Sequence, residues 1–343
     1  MGDTRALAAV QASSLHRQRM LWALGVGLLA LLWISLLLGR YPSPGLLSPE
    51  RLSSDELAER LVFQLRLPRL LTALLLGMSL SAAGLVFQLL FGNPLVEPGF
   101  LGVSQGAAFG AALAIVFFSS SALIVQANAA VFALAGLGFS YLLARRLRYG
   151  GWILRLILAG IAVSALFSAG VGLLKILADP LSQLPEITFW LLGGLASLTW
   201  PKFLSILPFS LLGLALLLLY RWRLNLLALN DEIAFSLGAA PHRERALVIV
   251  AAVLPTAALT SVAGMVGWVG LIIPHLARRL FGAEARFSLP GAMLIGGWFV
   301  ILCDNLARTL LNGEIPLGIL TSLIGAVAFL VLFGFQGKQW QQR

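Results

Sequence analysis

Long apolar runs, separated by short polar stretches rich in arginine, dominate the chain. Residues 70–96 carry no charged side chain, and neither do residues 98–144. A membrane-spanning helix needs about 20 mostly apolar residues. By that measure the pattern predicts ten helical spans, at 21–39, 66–91, 98–118, 122–144, 153–176, 203–220, 246–265, 267–280 (short), 287–310 and 316–336. The apolar stretch 187–201 is broken by Gly193-Gly194 and Pro201 and is expected to lie at the outer surface or interface ahead of the sixth span. Between spans two and three stands Gly92-Asn93-Pro94-Leu95-Val96-Glu97-Pro98-Gly99. Irregular backbone at membrane depth is tolerated only where protein or a water-filled cavity satisfies it. This proline-broken element is therefore a candidate gate.

Parity tests the count. With ten spans, the N-terminus, the even-numbered loops and the C-terminus share one side. That side holds Arg5, Arg17, Arg19, Arg145, Arg146, Arg148, Arg155, Arg221, Arg223, Arg243, Arg245, Arg278, Arg279, Arg286, Lys338 and Arg343, sixteen of the 24 basic residues. Excess Lys and Arg mark cytoplasmic loops, so both termini are expected in the cytoplasm. Trp22, Trp152, Trp200 and Trp222 near span ends suit interfacial belts.

Composition agrees. The 343 residues are 59% hydrophobic and 11% charged, against about 25% charged in soluble domains. The net charge of +10 would point to nucleic acid in a soluble protein, but here it sits in short loops and sets orientation. A single cysteine, Cys303, excludes a disulfide framework or a cysteine-rich metal site. The first apolar run lacks a small-residue cleavage site and is followed by Arg40-Tyr41-Pro42, so it reads as a span. The expected organisation is a cytoplasmic segment 1–20, one transmembrane domain 21–336 containing a cytoplasmic loop 221–245, and a tail 337–343.

That loop interleaves Leu226, Leu227, Leu229, Ile233, Phe235 and Leu237 with Asn230, Asp231, Glu232 and Ser236, punctuated by Gly238 and Pro241. One or two short amphipathic helices are expected, either lying on the membrane surface or docking a cytoplasmic partner. No Walker A pattern, metal cluster or catalytic triad is present in the sequence, and the chain is not expected to bind ATP. Asp304 and Arg308, four apart, can pair on one helix face. Arg66 and Arg69 either snorkel to head groups or receive an acidic partner. Gly264, Gly267 and Gly270 fall three apart and predict a small-residue stripe on one helix, which Pro274 bends or shortens.

Together these residues resemble the FecCD-type permeases of bacterial ABC importers, which take up iron-siderophores, haem and cobalamin. The resemblance runs from about Leu61 to Phe335. It is carried in order by Arg66-Leu-Pro-Arg69, Gly92-Asn-Pro-Leu-Val-Glu-Pro98, Leu101-Gly-Val-Ser-Gln-Gly-Ala107, Trp190-Leu-Leu-Gly193, Leu229-Asn-Asp-Glu-Ile-Ala-Phe-Ser-Leu-Gly238, Gly267-Trp-Val-Gly-Leu-Ile-Ile-Pro-His275, Asp304-Asn-Leu-Ala-Arg308 and Glu314-Ile-Pro-Leu-Gly318. The family usually has Phe at Trp268, Pro at Met265 and Val327, and Ala at Val96.

The resemblance implies an all-α integral membrane protein with ten transmembrane helices per chain. It implies a second permease chain, most simply in a homodimer, two cytoplasmic ATPase subunits carrying ATP-Mg, and an extracytoplasmic substrate-binding protein. It implies no cofactor or metal on this chain and no nucleic-acid partner. Asn93 and Leu95 match the family's cytoplasmic gate. Arg66, Arg69 and Arg308 match arginines that dock the binding protein. Leu229, Asp231, Glu232, Ser236 and Gly238 lie in the ATPase coupling helices, and Gly160, Gly170 and Gly172 in the pathway-lining span. An iron-siderophore importer in the bacterial cytoplasmic membrane is the expected function, with haem or cobalamin as alternative cargo. A secondary transporter is a rival class for which the spans offer almost no ion-coupling groups.

Overall fold

The computed structural model describes residues 2–41, 43–118 and 121–334. Lys338 and Arg343, and the expected tail, lie outside the described residues. Helix α1 (Gly2–Leu37) ends in a two-residue antiparallel pairing of β1 (Leu38–Gly39) with β2 (Gly45–Leu46), Leu38 opposite Leu46. Two short helices follow, α2 (Arg51–Ser54) and α3 (Glu56–Arg60). Asp55 caps α3 by accepting from the backbone N–H groups of Leu57 and Ala58, and the Tyr41 hydroxyl donates to its other oxygen at 2.8 Å. The Tyr41 bond, then the backbone bonds, hold the Asp55 carboxyl below its ordinary range. The cap is therefore complete at neutral pH and is lost only as acid protonates the carboxylate.

The second span was expected to open at residue 66. Instead α3 runs through a π-helical stretch, 61–66, into α4 (Leu67–Phe91). Pro68 has no N–H to donate to the preceding turn, and a π-bulge is one way a helix absorbs that defect. The chain continues through a 3₁₀ turn (98–101), α5 (Val103–Leu113) with a π-helical end (114–118), α6 (Ala122–Arg146), α7 (Trp152–Leu177), α8 (Gln183–Leu192) and α9 (Trp200–Tyr220). Then come α10 (Leu224–Leu227), α11 (Asp231–Ser236), α12 (Pro241–Ala263), α13 (Val269–Phe281), α14 (Ala285–Thr309) and α15 (Leu317–Gly334). Seven helices among the described residues are long and apolar enough to cross a membrane, and Val103–Phe118 and Leu317–Leu332 are shorter apolar helices. Every predicted span has a helix. The expected break at Gly193 is present, because α8 ends there with φ +68°.

Helix α4 is the centre of the bundle, packed on α14, α13 and α12. Its contacts are backbone to backbone. A side chain at Gly77 would run into the Gly296 carbonyl of α14, and one at Gly84 into the Gly270 carbonyl of α13. Small residues allow this approach where lipid supplies no hydrophobic drive between helices. The expected glycine stripe at 264, 267 and 270 does not lie on one helix. Gly264 has φ +68°, ends α12 and packs on the Trp190 carbonyl; residues 264–268 are unwound, Gly267 has open space beside it, and only Gly270 faces α4.

Pro274 sits inside α13 and cannot donate to the Gly270 carbonyl four residues back. Gln88 of α4 takes over: its Nε2 donates to the carbonyls of Leu271 at 3.1 Å and Gly270 at 3.4 Å, while its Oε1 accepts from Arg278. Replacing Gln88 with Leu keeps the volume but leaves those groups unsatisfied. That should lower the stability of the detergent-purified protein by about 1–3 kcal/mol, read as a reduced thermal midpoint.

Candidate functional site

Three regions carry the chemistry, one at each end of the bundle and one inside it. At the end where α4 begins, the termini of α1, α4 and α14 converge. The Asp304 carboxylate on α14 is fully buried and receives the Arg69 Nε from α4 at 2.8 Å. Arg69 also pairs with Glu314 in the α14–α15 connection. Arg308, one turn beyond Asp304, approaches it at 3.3 Å and donates to Asn305 at 2.6 Å and to the Ser35 and Leu38 carbonyls at the end of α1. Arg66 donates to the Leu36 and Leu37 carbonyls at 3.2 and 3.3 Å. The expected Asp304–Arg308 pair is present, and the structure adds a stronger cross-helix partner, Arg69.

The three arginines assigned by resemblance to binding-protein docking are thus brought together, but their guanidiniums are engaged within the chain. Arg69 and Arg308 keep only 11% and 10% of their side-chain surface exposed. Arg66 and Arg308 cap the free carbonyls at the end of α1, which no helical N–H can reach. Taken as a cluster, the three arginines against Asp304 and Glu314 carry one positive charge in excess.

At the opposite end lies the 221–245 loop. Of the one or two short helices expected there, the structure has two, α10 and α11. Arg223 holds Glu244 through two bonds, of 2.6 and 2.7 Å, and donates to the Gly238 carbonyl at 3.0 Å. Arg245, at the start of α12 and only 5% exposed, pairs with Asp231 and donates to the carbonyls of Leu227 and Leu229. The loop is therefore clamped to α12 by two ion pairs. Asp231 serves that clamp, whereas Glu232 and Ser236 are exposed, the Ser236 hydroxyl bonding back to Ile233. Leu229, Ile233, Phe235 and Leu237 present apolar side chains outward, Phe235 with 73% of its surface exposed. Gly238 ends the element at φ +80°. Arg223, Glu244 and Arg245 had no assigned role in the sequence reading, because a clamp between residues 14 to 21 apart has no local periodicity.

Inside the bundle, the segment 92–102 leaves the end of α4 and folds back along it. A side-chain carbon at Gly270 would sit 3.0 Å from both the Leu80 carbonyl and Pro98 Cδ. Pro98 therefore lies beside a residue eleven positions, about 16 Å, before the end of α4. Six residues of extended chain cover at most about 20 Å, enough for that return. The third span accordingly starts inside the bundle rather than at its end. Asn93 and Leu95 are exposed at the start of this segment, and Asn93 Oδ1 accepts the Leu95 N–H at 2.9 Å. The Ser140 hydroxyl of α6 caps the Leu101 carbonyl at 2.9 Å.

The second unwound segment, 264–268, meets the first. Trp268 is the one non-glycine residue at positive φ (71°) among the described residues, a conformation that costs about 1–2 kcal/mol for a residue with a Cβ. Gly102 precedes α5 in the same left-handed region, φ 81°. The Trp268 ring packs edge-on to Phe329 of α15, centroids 6.1 Å apart. Glu97 lines a cavity of about 340 Å³ with Gln105, Ser164, Thr260 and residues 265–267. Gly264 borders a second cavity of about 420 Å³, with Glu186, Lys202 and Glu314.

Of the glycines assigned to the pathway, Gly160 packs on the Phe100 carbonyl in the 3₁₀ turn and Gly170 on the Phe109 ring of α5. Gly172 has open space beside it and is exposed.

A helical bundle with re-entrant backbone, internal cavities and an ordered loop clamped to one end has the form of a membrane permease. The chain matches the FecCD transport family over residues 27–334, and it belongs to that family. It is 42% identical over 306 residues to the molybdate import system permease protein MolB of Haemophilus influenzae, covering 87% of this chain and 90% of that one. It is 40% identical over 280 residues to a probable iron chelatin transport system permease of Helicobacter pylori (81% and 83%), and 39% identical over 295 residues to the hemin transport system permease HmuU of Yersinia pestis (84% and 87%). A solved metal-chelate type ABC transporter in an inward-facing conformation superposes with a TM-score of 0.85 at 41% identity, covering 92% of this chain and 99% of that one. The chain is thus a multi-pass transport subunit of ABC importer type, not a catalytic enzyme.

Truncating one member of the buried ion pair leaves the other charge stranded. Arg69→Ala should cost about 3–5 kcal/mol. The double change Arg69→Leu with Asp304→Leu should recover a large part of that loss. Thermal unfolding of the purified variants in detergent measures both.

Proposed function

We propose that the chain is the ten-span permease of an ATP-driven importer in the cytoplasmic membrane of a bacterium, working as a homodimer with two ATPase subunits and a binding protein. Seven long helices, together with 103–118, α13 and α15, make up the ten spans, within one domain, 21–336, whose termini are cytoplasmic. The observation that carries the reading is α11. It presents Ile233 and Phe235 outward, with Leu237 just beyond its end, while the Asp231–Arg245 pair ties it to α12 and the Arg223–Glu244 pair holds the start of the loop there. A surface of that kind suits a partner that pushes on it, and the ATPase is that partner, carrying ATP-Mg. Asn93 and Leu95, at the same end, form the gate. Gly172, on the open face of α7, contributes to the pathway, with Gly160 and Gly170 setting the distance of α7 from α5.

Binding-protein acids dock at the opposite end, against the excess positive charge of the Arg66, Arg69 and Arg308 cluster. Because these guanidiniums also cap α1 and bind Asp304, docking there engages residues that the fold itself depends on.

The cargo is a metal chelate, first of all an iron-siderophore, with haem or cobalamin as alternatives. The iron chelatin and hemin permeases among its relatives favour that reading. A molybdate cargo is a second reading, favoured by the 42% identity to MolB. Reconstituted with its ATPase and binding protein in proteoliposomes, the permease should accumulate radiolabelled ferric siderophore only with ATP inside. Molybdate accumulation without siderophore uptake would move the assignment to the oxyanion, and uptake without the ATPase would favour a secondary transporter. Phe235→Asp should abolish co-purification of the ATPase while leaving the permease folded by size-exclusion chromatography. Retained co-purification would remove α11 from the interface.

A further inference from the structure

At the end of the bundle that carries the 221–245 loop, three elements meet around two aromatic rings. Arg17 comes from α1, Trp222 follows the end of α9, and Arg286 and Phe287 stand in the first turn of α14. The Arg286 guanidinium carbon lies 4.1 Å from the Trp222 ring centroid and 5.0 Å from that of Phe287. The Arg17 guanidinium approaches the same Phe287 ring at 5.7 Å. It also packs beside Gly282, where a side-chain carbon would sit 3.3 Å from it. Among the described residues one acid faces Arg17 here, Glu284, at 3.7 Å and with 41% of its side chain exposed.

This charge is not used as it is elsewhere in the molecule. Arg245 and Arg308 hold acids and cap carbonyls, but among the described residues Arg286 makes no hydrogen bond or ion pair. An aromatic face attracts a cation but offers no oxygen to its five N–H donors. The first turn of a helix favours acids and disfavours bases, yet α14 has no acid there and carries Arg286. The neighbouring tryptophans give the depth of the cluster. Trp222 keeps 52% of its surface exposed just past the end of α9, and Trp22, five residues further along α1 than Arg17, keeps 76%. Exposed tryptophans near span ends mark the headgroup layer. Basic residues at that depth on the cytoplasmic side meet the phosphates of anionic lipids, which the planar guanidinium fork matches.

We propose that this corner binds one anionic glycerophospholipid of the inner leaflet, its phosphate held by Arg17 and Arg286 beside the Trp222 and Phe287 rings. Charge complementarity favours that occupant over the ATPase, whose proposed contact on α11 is the apolar pair Ile233 and Phe235. The lipid joins α1, α14 and the end of α9, which lie far apart in the sequence. It does so one residue from Arg223, where the loop clamp begins. The proposal rests on the importer reading only for the side of the membrane, and lipid retention by the isolated chain is measured without it.

The test is native mass spectrometry of the full-length permease in a non-ionic detergent, titrated with dioleoyl phosphatidylglycerol or, separately, dioleoyl phosphatidylcholine. The unaltered chain should retain one phosphatidylglycerol under activation that strips phosphatidylcholine. Each basic residue facing an anionic headgroup is worth roughly fivefold in affinity, so Arg17→Gln with Arg286→Gln should weaken retention by about tenfold or more. Arg145→Gln with Arg146→Gln, at the end of α6, removes the same charge elsewhere and should leave retention unchanged. Equal loss in the two pairs, or no preference for phosphatidylglycerol in the unaltered chain, overturns the site. Displacement of the lipid by millimolar inorganic phosphate overturns the lipid as its occupant. So does displacement by the ATPase, together with failure of the Arg17 and Arg286 variant to bind that subunit. If the double variant does not purify, Arg286→Gln alone decides, with about a fivefold loss expected and unchanged retention overturning the site. Failure of the unaltered chain to bind any ATPase counts against the importer reading and leaves the lipid result standing.

Discussion

Backbone that leaves the helix inside an apolar bundle must find its hydrogen-bond partners within the protein, since lipid offers none. Much of this structure follows from that constraint. Pro274 frees the Gly270 carbonyl, and Gln88 reaches across from α4 to take it together with Leu271. The segment 92–102 leaves carbonyls and N–H groups unpaired, and Asn93, Ser140 and its own 3₁₀ turn absorb them. The end of α1 is closed by Arg66 and Arg308. The polar side chains in this apolar protein are spent mainly on backbone, and their positions show where regular helix stops.

The charged residues divide by the same logic. Burying a carboxylate such as Asp304 is tolerable only when it is paired, and Arg69 and Arg308 supply the pairing from two helices. Because Arg69 belongs to α4 and Asp304 to α14, the pair also fixes the register of the two helices whose backbones touch at Gly77 and Gly296. At the other end, Arg245 does for the loop what Arg69 does for α14. It neutralises an acid and satisfies two carbonyls with one guanidinium, a task suited to the planar five-donor fork of arginine rather than to lysine.

Much of this was legible in the sequence. Each expected span has a helix because runs such as 122–144 and 153–176 are long, apolar and bounded by Arg or Gly, signals that act locally. Short helices after residue 221, one or two, were legible from the alternation of Leu and polar residues; the structure has two. The glycine stripe was misread because Gly264, Gly267 and Gly270 have helical spacing but only Gly270 is helical. The positive φ at Gly264 breaks the period, and nothing in the spacing itself reveals it. The partners of Arg69 and Arg245 were not legible, since pairing between residues 235 or 14 positions apart depends on how helices are arranged, not on their composition. Glu97 was visible as the one charge in the stretch 70–144, but its place on the cavity that it lines with residues 265–267 depends on how the chain folds back.

The two irregular segments share a construction that bears on how such a protein moves. Each begins at a left-handed glycine that ends a long helix, Gly92 after α4 and Gly264 after α12, and each closes on a left-handed residue that starts a shorter helix, Gly102 before α5 and Trp268 before α13. At Gly102 the conformation carries no Cβ penalty, whereas at Trp268 it is held against one by ring packing on α15. Long helices packed backbone to backbone move as rigid bodies, because interlocked glycines leave no space for sliding. The unwound segments are then the places where relative motion can be taken up. Of the two, the strained turn at Trp268 has the lower cost of release, and it borders both internal cavities while lying on the chain directly after the helix that carries the loop clamp.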